Sequence, residues 1–318
     1  MILTVTPNPA LDCTWHVDAL VPGDSHRVGT GAERAGGKGV NVARVLQATG
    51  SDTLALATAG GDTGRALAAD LGASGVPHRL VPVAAATRRS IAVVDDRHGE
   101  ATLLNERGGG LSPAEADALL DAARALAAQA TTVVVSGSLP PGIRSEDIGL
   151  LVADLVRAGT TTIADVTGPA LLAAATAGAH VVKPNAAELH ETTGCHDPLT
   201  GARVLLEQGA GLAVVSLGGD GMLLVRRSAP DRALRARLPE MLHGNPTGAG
   251  DAAVAAIAAL LARRGDATDL TDDDLVHLAR AAVGWSASAV LMPQAGEVSP
   301  ERDRLAAAVI LDHPHPRS

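Results

Sequence analysis

The segment Asn245-Pro-Thr-Gly-Ala-Gly-Asp251 could do chemistry of a definite kind. Gly248, Ala249 and Gly250 form a small-residue turn that opens an Ala-rich helical stretch. The two glycines let successive backbone N–H groups turn inward, and with the positive end of the helix dipole these donors make an anion site. Phosphoryl transfer needs such a site, because charge sits on the equatorial oxygens of the moving group. Asp251 follows at the helix start, where a carboxylate can accept the proton of an attacking hydroxyl. The same residues would also serve as a plain helix start with an acidic first turn, so the rest of the chain decides their weight.

A second glycine-rich segment is Ala35-Gly-Gly-Lys-Gly-Val-Asn-Val-Ala-Arg44. Gly36 and Gly37 permit close backbone approach to a ligand. Lys38 adds a cation and Asn41 a side-chain amide. This is not a Walker A loop, since Lys38 lacks the preceding Gly-x4-Gly spacing and a following Ser or Thr. No Gly-x-Gly-x-x-Gly follows the first strand, so a dinucleotide-binding fold has no support. Asp12, Ser138, Lys183, Asn185 and Ser216 stand at or just past apolar runs with strand character, and ligands bind at strand ends in open α/β sheets. Arg27 and Arg88 carry guanidinium forks that suit phosphate. Asn185 and Glu188 also read as the start and third position of a capped helix.

These residues need elements to position them. Strand-like runs recur at 2–6, 53–58, 132–136, 161–165, 180–183, 212–216 and 223–226. Helical spacing appears at 40–49, 65–73, 113–130, 146–158 and 201–208, then at 248–263, 272–290 and 300–311. The alternation predicts a mainly parallel sheet covered on both faces. Two stretches, 11–28 and 88–107, break the rhythm and read as antiparallel hairpins, together a small β lid. Arg27 and Arg88 fall in them.

Asn-Pro-Thr-Gly-Ala-Gly-Asp resembles a signature of the PfkB/ribokinase family of carbohydrate kinases, and the segment 35–44 resembles a second. Further matches lie between and around them: Thr6-Pro-Asn-Pro-Ala-Leu-Asp12, Thr87-Arg88, Ser136-Gly-Ser-Leu-Pro-Pro-Gly142, Lys183-Pro-Asn-Ala-Ala-Glu188 and Val215-Ser-Leu-Gly-Gly-Asp-Gly221. The resemblance covers nearly the whole chain and is nearest the 1-phosphofructokinase and tagatose-6-phosphate kinase branch. It implies a ribokinase-like three-layer α/β sandwich, one domain over 1–318 with lid excursions at about 11–28 and 88–107. It implies an ATP-dependent kinase that turns a ketohexose monophosphate into a bisphosphate. Asp251 would be the base and the Gly248–Gly250 turn the anion hole. Asp12, Arg27, Gly37, Lys38, Asn41, Arg88 and Ser138 would hold the substrate. Lys183, Asn185, Ser216, Gly218 and Gly221 would hold the nucleotide, and Asn185 with Glu188 would hold Mg²⁺ through water. Asp165 would add negative charge near that metal. The resemblance also implies a homodimer formed through the lid. Two alternatives stand beside it: a kinase of an unphosphorylated sugar or nucleoside, against which Arg88 and Lys38 speak, and an inactive sugar-phosphate sensor, against which the intact Asp251 segment speaks.

Composition narrows the partners. The chain has 318 residues, 46% hydrophobic and 19% charged, which is a globular mix. It has no Phe, no Tyr and two Trp, so bases cannot stack on an aromatic platform and an adenine must lie on aliphatic side chains, with helix 272–290 the expected wall. A formal charge of −9 argues against nucleic-acid or anionic-membrane binding. Cys13 and Cys195 lack metal-ligand spacing and suit a reducing cytosol. The first residues read as a strand and not as a signal peptide, and no apolar run reaches membrane-span length.

Overall fold

Runs such as Thr-Val-Val-Val at 132–135 are buried throughout, as a parallel sheet between two helical layers requires. The computed structural model describes residues 1–313. Its elements are β1 (Ile2–Thr6), β2 (Ala10–Val17), β3 (Ala32–Gly36), α1 (Lys38–Ala48), β4 (Thr53–Ala59), α2 (Gly61–Ala73), β5 (His78–Pro82), β6 (Arg88–Asp95), β7 (Glu100–Asn105), α3 (Pro113–Ala127), β8 (Thr132–Ser136) and α4 (Ser145–Arg157). There follow β9 (Thr161–Asp165), α5 (Pro169–Thr176), β10 (Val181–Val182), α6 (Ala186–Thr193), α7 (Pro198–Gln208), β11 (Leu212–Ser216), β12 (Met222–Arg226), β13 (Leu234–Arg237), α8 (Ala249–Arg264), α9 (Asp272–Val290), α10 (Arg302–Ala307) and β14 (Ile310–Asp312).

The large sheet has ten strands in the order β5-β4-β1-β8-β9-β10-β11-β12-β13-β14. Every pairing from β5 to β11 is parallel; β12, β13 and β14 continue antiparallel. Leu119, Leu151, Leu171 and Leu205 seat α3, α4, α5 and α7 on one face. Val45, Ile257 and Leu278 seat α1, α8 and α9 on the other. With no Phe or Tyr to fill space, small residues bring these layers together: every position of α8 from 252 to 259 is buried. A Cβ on Gly284 of α9 would stand 2.6 Å from the Ala306 nitrogen, so α10 lies directly on α9.

The expected lid is a separate four-stranded sheet, β3-β2-β6-β7. β2 pairs antiparallel with β3 and parallel with β6, and β7 pairs antiparallel with β6. The two excursions therefore join, with one correction. The first hairpin does not return at 25–28; its second strand is β3, and 18–31 is irregular apart from the turn that Asp24 N–H closes on the Val21 carbonyl. The register pairs Ala10 with Gly36, so β3 delivers Gly36 straight into α1, whereas Pro22, Gly23, Gly29 and Gly31 suit no ladder. A second correction lies at the C-terminal end. The helix expected over 300–311 stops at Ala307, and β14 instead caps the exposed edge of β13. No helix among the described residues is long and apolar enough to cross a membrane.

Candidate active site

α8 starts at Ala249 with Gly248 as its N-cap. Gly248 has φ 83°, a left-handed conformation that side chains resist, and a Cβ there would stand 2.9 Å from the Ala295 Cα. Asp251 follows in the first turn, 6% exposed. Its Oδ2 accepts a hydrogen bond from Asn41 Nδ2 at 2.8 Å. Burial raises the Asp251 pKa, repulsion from Asp165 adds to this, and the Asn41 hydrogen bond with Lys38 and Lys183 pulls it back; it is raised to about 6. Such a carboxylate is ionised at neutral pH yet basic enough to take a proton from a hydroxyl.

Around it converge four charged side chains, Asp165, Lys183, Lys38 and Glu188. Asp165 ends β9 and is fully buried; burial opposes its charge, but Lys183 and Lys38 hold its pKa below the usual carboxylate range. Lys183 Nζ lies 3.2 Å and Lys38 Nζ 3.5 Å from Asp165 Oδ1, and Ser136 Oγ donates to Asp165 Oδ2 at 3.1 Å. Lys38 also donates to Glu188 Oε1 at 3.1 Å. Burial works against the Lys38 ammonium, yet Asp165, Glu188 and Asp251 outweigh it and its pKa is raised. Lys183 is 3% exposed, and a Cβ on Gly250 would stand 3.5 Å from its Nζ, so this cation faces the turn that opens α8. The preceding Gly37, φ 104°, caps α1; a Cβ there would come 3.0 Å from Pro9 Cα.

Asn185 and Glu188 form a reciprocal capping box on α6. Asn185 Oδ1 accepts from Glu188 N–H at 2.8 Å, and Glu188 Oε2 accepts from Asn185 N–H at 2.9 Å. Among the described residues no three His, Cys, Asp or Glu side chains gather closely enough to hold a metal directly. A hydrated cation reached through its waters fits this donor set of one carboxylate and one amide, and magnesium keeps its waters in such sites.

Two cavities flank the α8 start. The first, about 430 Å³, is lined by Asn185, Ser216, Gly218, Gly221 and Gly250, with Val283, Ala287 and Val290 of α9 as its far wall. α9 thus gives this cavity an aliphatic wall. Ser216 N–H donates to the Pro184 carbonyl at 3.1 Å, which ties the ends of β10 and β11 together beneath this cavity. The second, about 370 Å³, lies under the small sheet and is lined by Asp12, Arg34 and Ser90 on one side and Asn245, Thr247 and Gln294 on the other. Gly244 and Pro246 border both cavities.

Asp12, on β2, has its pKa raised to about 6: burial pushes it up, against the pull of Arg88, Arg34 and Arg44. Arg88 opens β6, half-buried. Its Nε donates to the Asn8 carbonyl and its Nη1 to the Glu106 carbonyl, both at 3.2 Å. Ser138, exposed beyond β8, accepts from Asn8 Nδ2 at 3.1 Å. Arg27 stands exposed in the irregular stretch and lines neither cavity.

Residues 8–302 match the family described as pfkB family carbohydrate kinase. The chain belongs to that family. Among pfkB relatives, "ATP-dependent 6-phosphofructokinase isozyme 2" of Mycobacterium tuberculosis is 40% identical over 268 residues, 82% of this chain and 78% of that one. "1-Phosphofructokinase" of Xanthomonas campestris is 37% identical over 321 residues, 97% of each chain. The structure of phosphofructokinase-2 from Escherichia coli in complex with fructose-6-phosphate superposes with a TM-score of 0.83 at 28% identity, covering 96% of this chain and 98% of that one. The same E. coli protein has also been solved in a tetrameric inhibited form. This carbohydrate kinase thus has the fold that its two glycine-rich segments implied. Two residues of its site escaped sequence reasoning. Asn8, buried, ties Ser138, Arg88 and the Arg107 carbonyl together; its signal was the pair of prolines flanking an Asn at the end of β1. Arg34 had no signal beyond its place beside the second glycine-rich segment.

Proposed function

We propose that this pfkB kinase phosphorylates a ketohexose monophosphate with ATP to give a bisphosphate, the substrate being fructose 1-phosphate, tagatose 6-phosphate or fructose 6-phosphate. The observation that carries this reading is a pair of cavities that share Gly244 and Pro246 just ahead of α8, with Asp251 buried in the first turn of that helix behind them. The cavity against α9 suits the nucleotide, its base on Val283, Ala287 and Val290 and its phosphates toward Ser216, Gly218, Gly221 and Asn185, with Lys183 beside Gly250 at its edge. The cavity under the small sheet suits the sugar, with Asp12 accepting from its hydroxyls. Gly37, Lys38, Asn41, Arg88 and Ser138 are assigned to the substrate, and Arg27 to it on a lid that closes.

Asp251 accepts the proton of the attacking hydroxyl while that oxygen bonds to the terminal phosphorus. The bond to the ADP oxygen breaks, and its electron pair leaves with ADP. N–H groups of the Gly248–Gly250 turn, with Lys183 beside them, hold the equatorial oxygens. Magnesium bound with ATP would offset phosphate charge, held through water by Asn185 and Glu188.

A cationic Arg88 near Asp12 favours a substrate that already carries a phosphate, and relatives named for fructose-phosphate kinases support this class. Every residue of β7 is exposed, with Leu103 and Leu104 at 46% and 56%; such an edge supports a homodimer through the lid. The unpaired thiols Cys13 and Cys195 and a phosphorylated substrate fit the reducing cytosol.

A coupled ADP-release assay over phosphorylated and free sugars tests the reading. Turnover of at least one ketohexose monophosphate with far higher kcat/KM than free fructose or ribose is the expected result. Equal efficiency on free sugar would overturn the phosphosugar assignment, and no ADP release on any sugar would overturn the kinase itself.

A further inference from the structure

Arg34 lies on β3, in the small sheet, yet its side chain is anchored on the large body. Its Nη1 donates to Gln294 Oε1 at 2.8 Å and to Glu297 Oε1 at 2.9 Å. The Arg34 and Glu297 side chains are 20% and 30% exposed, which shields the pair from full solvent screening. Both partners follow α9, far along the chain from β3.

The loop 293–297 that receives this contact backs the catalytic turn. Asn245 Nδ2 donates to the Pro293 carbonyl at 3.0 Å. Ala295 packs so closely on Gly248 that a Cβ there would stand 2.9 Å from Ala295 Cα. Gly296 packs on α1: a Cβ on it would stand 3.0 Å from Arg44 Cδ and 3.4 Å from Asn41 Cα. Asn41 is the residue that hydrogen-bonds Asp251. A link from the small sheet therefore ends on a loop in contact with both the anion turn and the partner of the base.

An arginine in a cavity that takes a phosphosugar invites assignment as a phosphate ligand. Here one arm of the fork is committed to a carboxylate and an amide, and the Glu297 charge would repel an approaching phosphate. We infer that Arg34 is a positioning residue that latches the small sheet onto loop 293–297, holding the sugar cavity closed against an ordered catalytic turn; the inference rests on the phosphosugar kinase reading above. Breaking the latch lowers the closed population, so sugar capture weakens in proportion while the nucleotide cavity is left as it was.

The test uses Arg34→Ala and Glu297→Ala singly and together, and the reversed pair Arg34→Glu with Glu297→Arg. Each single change should raise KM for the phosphosugar about 5- to 30-fold, the range for a partly shielded, charge-assisted contact. KM for ATP should stay nearly unchanged. The double alanine variant should be no worse than either single one, because both break one link, and the reversed pair should recover much of the loss. A silent Glu297→Ala beside a costly Arg34→Ala would make Arg34 a phosphate ligand and overturn the latch, as would additive effects or silence in both. Hydrogen exchange on the same variants is the readout independent of turnover. Faster exchange in β3 and 293–297 supports the latch even if the wild type acts on no phosphosugar, and unchanged exchange overturns it.

Discussion

The cavity beside α9 is lined by Asn185 and Ser216 at strand ends, by Gly218, Gly221 and Gly250, by the aliphatic side chains of α9, and by the loop 238–244 with Met241 and His243. The cavity under the small sheet is lined by that sheet, with Asp12, Arg34 and Glu100 beside Ala92, Val94 and Leu103, and by the loops 244–247 and 293–295; the charges of Arg34 and Arg88 bear on its Asp12. Main chain at the ends of parallel strands cannot shift without disturbing the core, so the strand-end and α9 sides of the first cavity are fixed by the fold itself. The second depends on side chains and on how the small sheet sits over those loops. A nucleotide can be bound through common phosphates by rigid N–H donors, whereas telling one phosphosugar from another takes side chains and closure.

The sharpest way to break this division is at the base buried in the first turn of α8. Asp251→Asn should leave binding of both ligands nearly intact and lower kcat by about two to four orders of magnitude, as loss of a general base does; kcat within about threefold of wild type, a difference well under 1.4 kcal/mol, would remove Asp251 from the chemistry. The same variant has a stability consequence. Asp251 binds its proton more tightly folded than unfolded, so its favourable contribution is present below the unfolded pKa and is lost as pH rises through about 6. At neutral pH the ionised carboxylate destabilises the fold, and Asp251→Asn should raise Tm; a lower Tm would contradict burial as the cause of the shift.

A smaller loss should separate the two sides. Arg88→Ala should raise KM for the phosphosugar by about 10- to 150-fold, the worth of a hydrogen bond to an ion, with KM for ATP unmoved. Arg88→Lys should restore only part, since an ammonium lacks the planar fork. Equal rises in both constants would show that the sides are not independent.

Smaller still is the effect of pH. In the free enzyme kcat/KM should fall below about pH 6, where Asp251 takes up a proton, and Asp12 should steepen the fall because it titrates in the same range. Asn41→Ala removes a hydrogen bond that favours the carboxylate, so the Asp251 step should move to higher pH while the Asp12 step stays. An unshifted profile would detach Asn41 from the base. The least effect on catalysis belongs to the outer face of the lid. Leu104→Asp should leave folding stability within about 0.5 kcal/mol, and if the proposed homodimer forms through the lid, light scattering should show a dimer for the wild type and a monomer for the variant. A dimer that survives would move the interface elsewhere.

The same contrast explains what could be read from the sequence. The parallel core was legible because strands buried on both faces need unbroken apolar runs, as at 132–135 and 212–215. Gly248 and Gly37 were legible because left-handed backbone and close approach demand glycine. Elements stabilised by distant partners were not. β14 follows an Ala-rich turn of helix and is a strand only because the edge of β13 accepts it. The return strand at Ala32–Gly36 was missed because its register is set by β2 and by the start of α1, not by its own alternation. Arg34 carried no local mark, since its partners lie 260 and 263 residues away. Asn41 was assigned to the sugar, and no periodicity could have revealed that its amide reaches Asp251.

The scarcity of aromatic residues, which forces the helices into close contact through alanine and glycine, also leaves the molecule with two native optical probes. Trp15 sits on β2 in the lid, its indole ring lying over Gly31. Trp285 sits in α9, 9% exposed, with the Arg302 guanidinium carbon 5.7 Å from its ring centroid. With no tyrosine in the chain, ultraviolet emission comes from these two indoles alone, one in the small sheet and one in α9. Replacing Trp285 leaves a single indole in the lid, and replacing Trp15 leaves a single indole in α9, so each region can be followed by fluorescence with no dye attached.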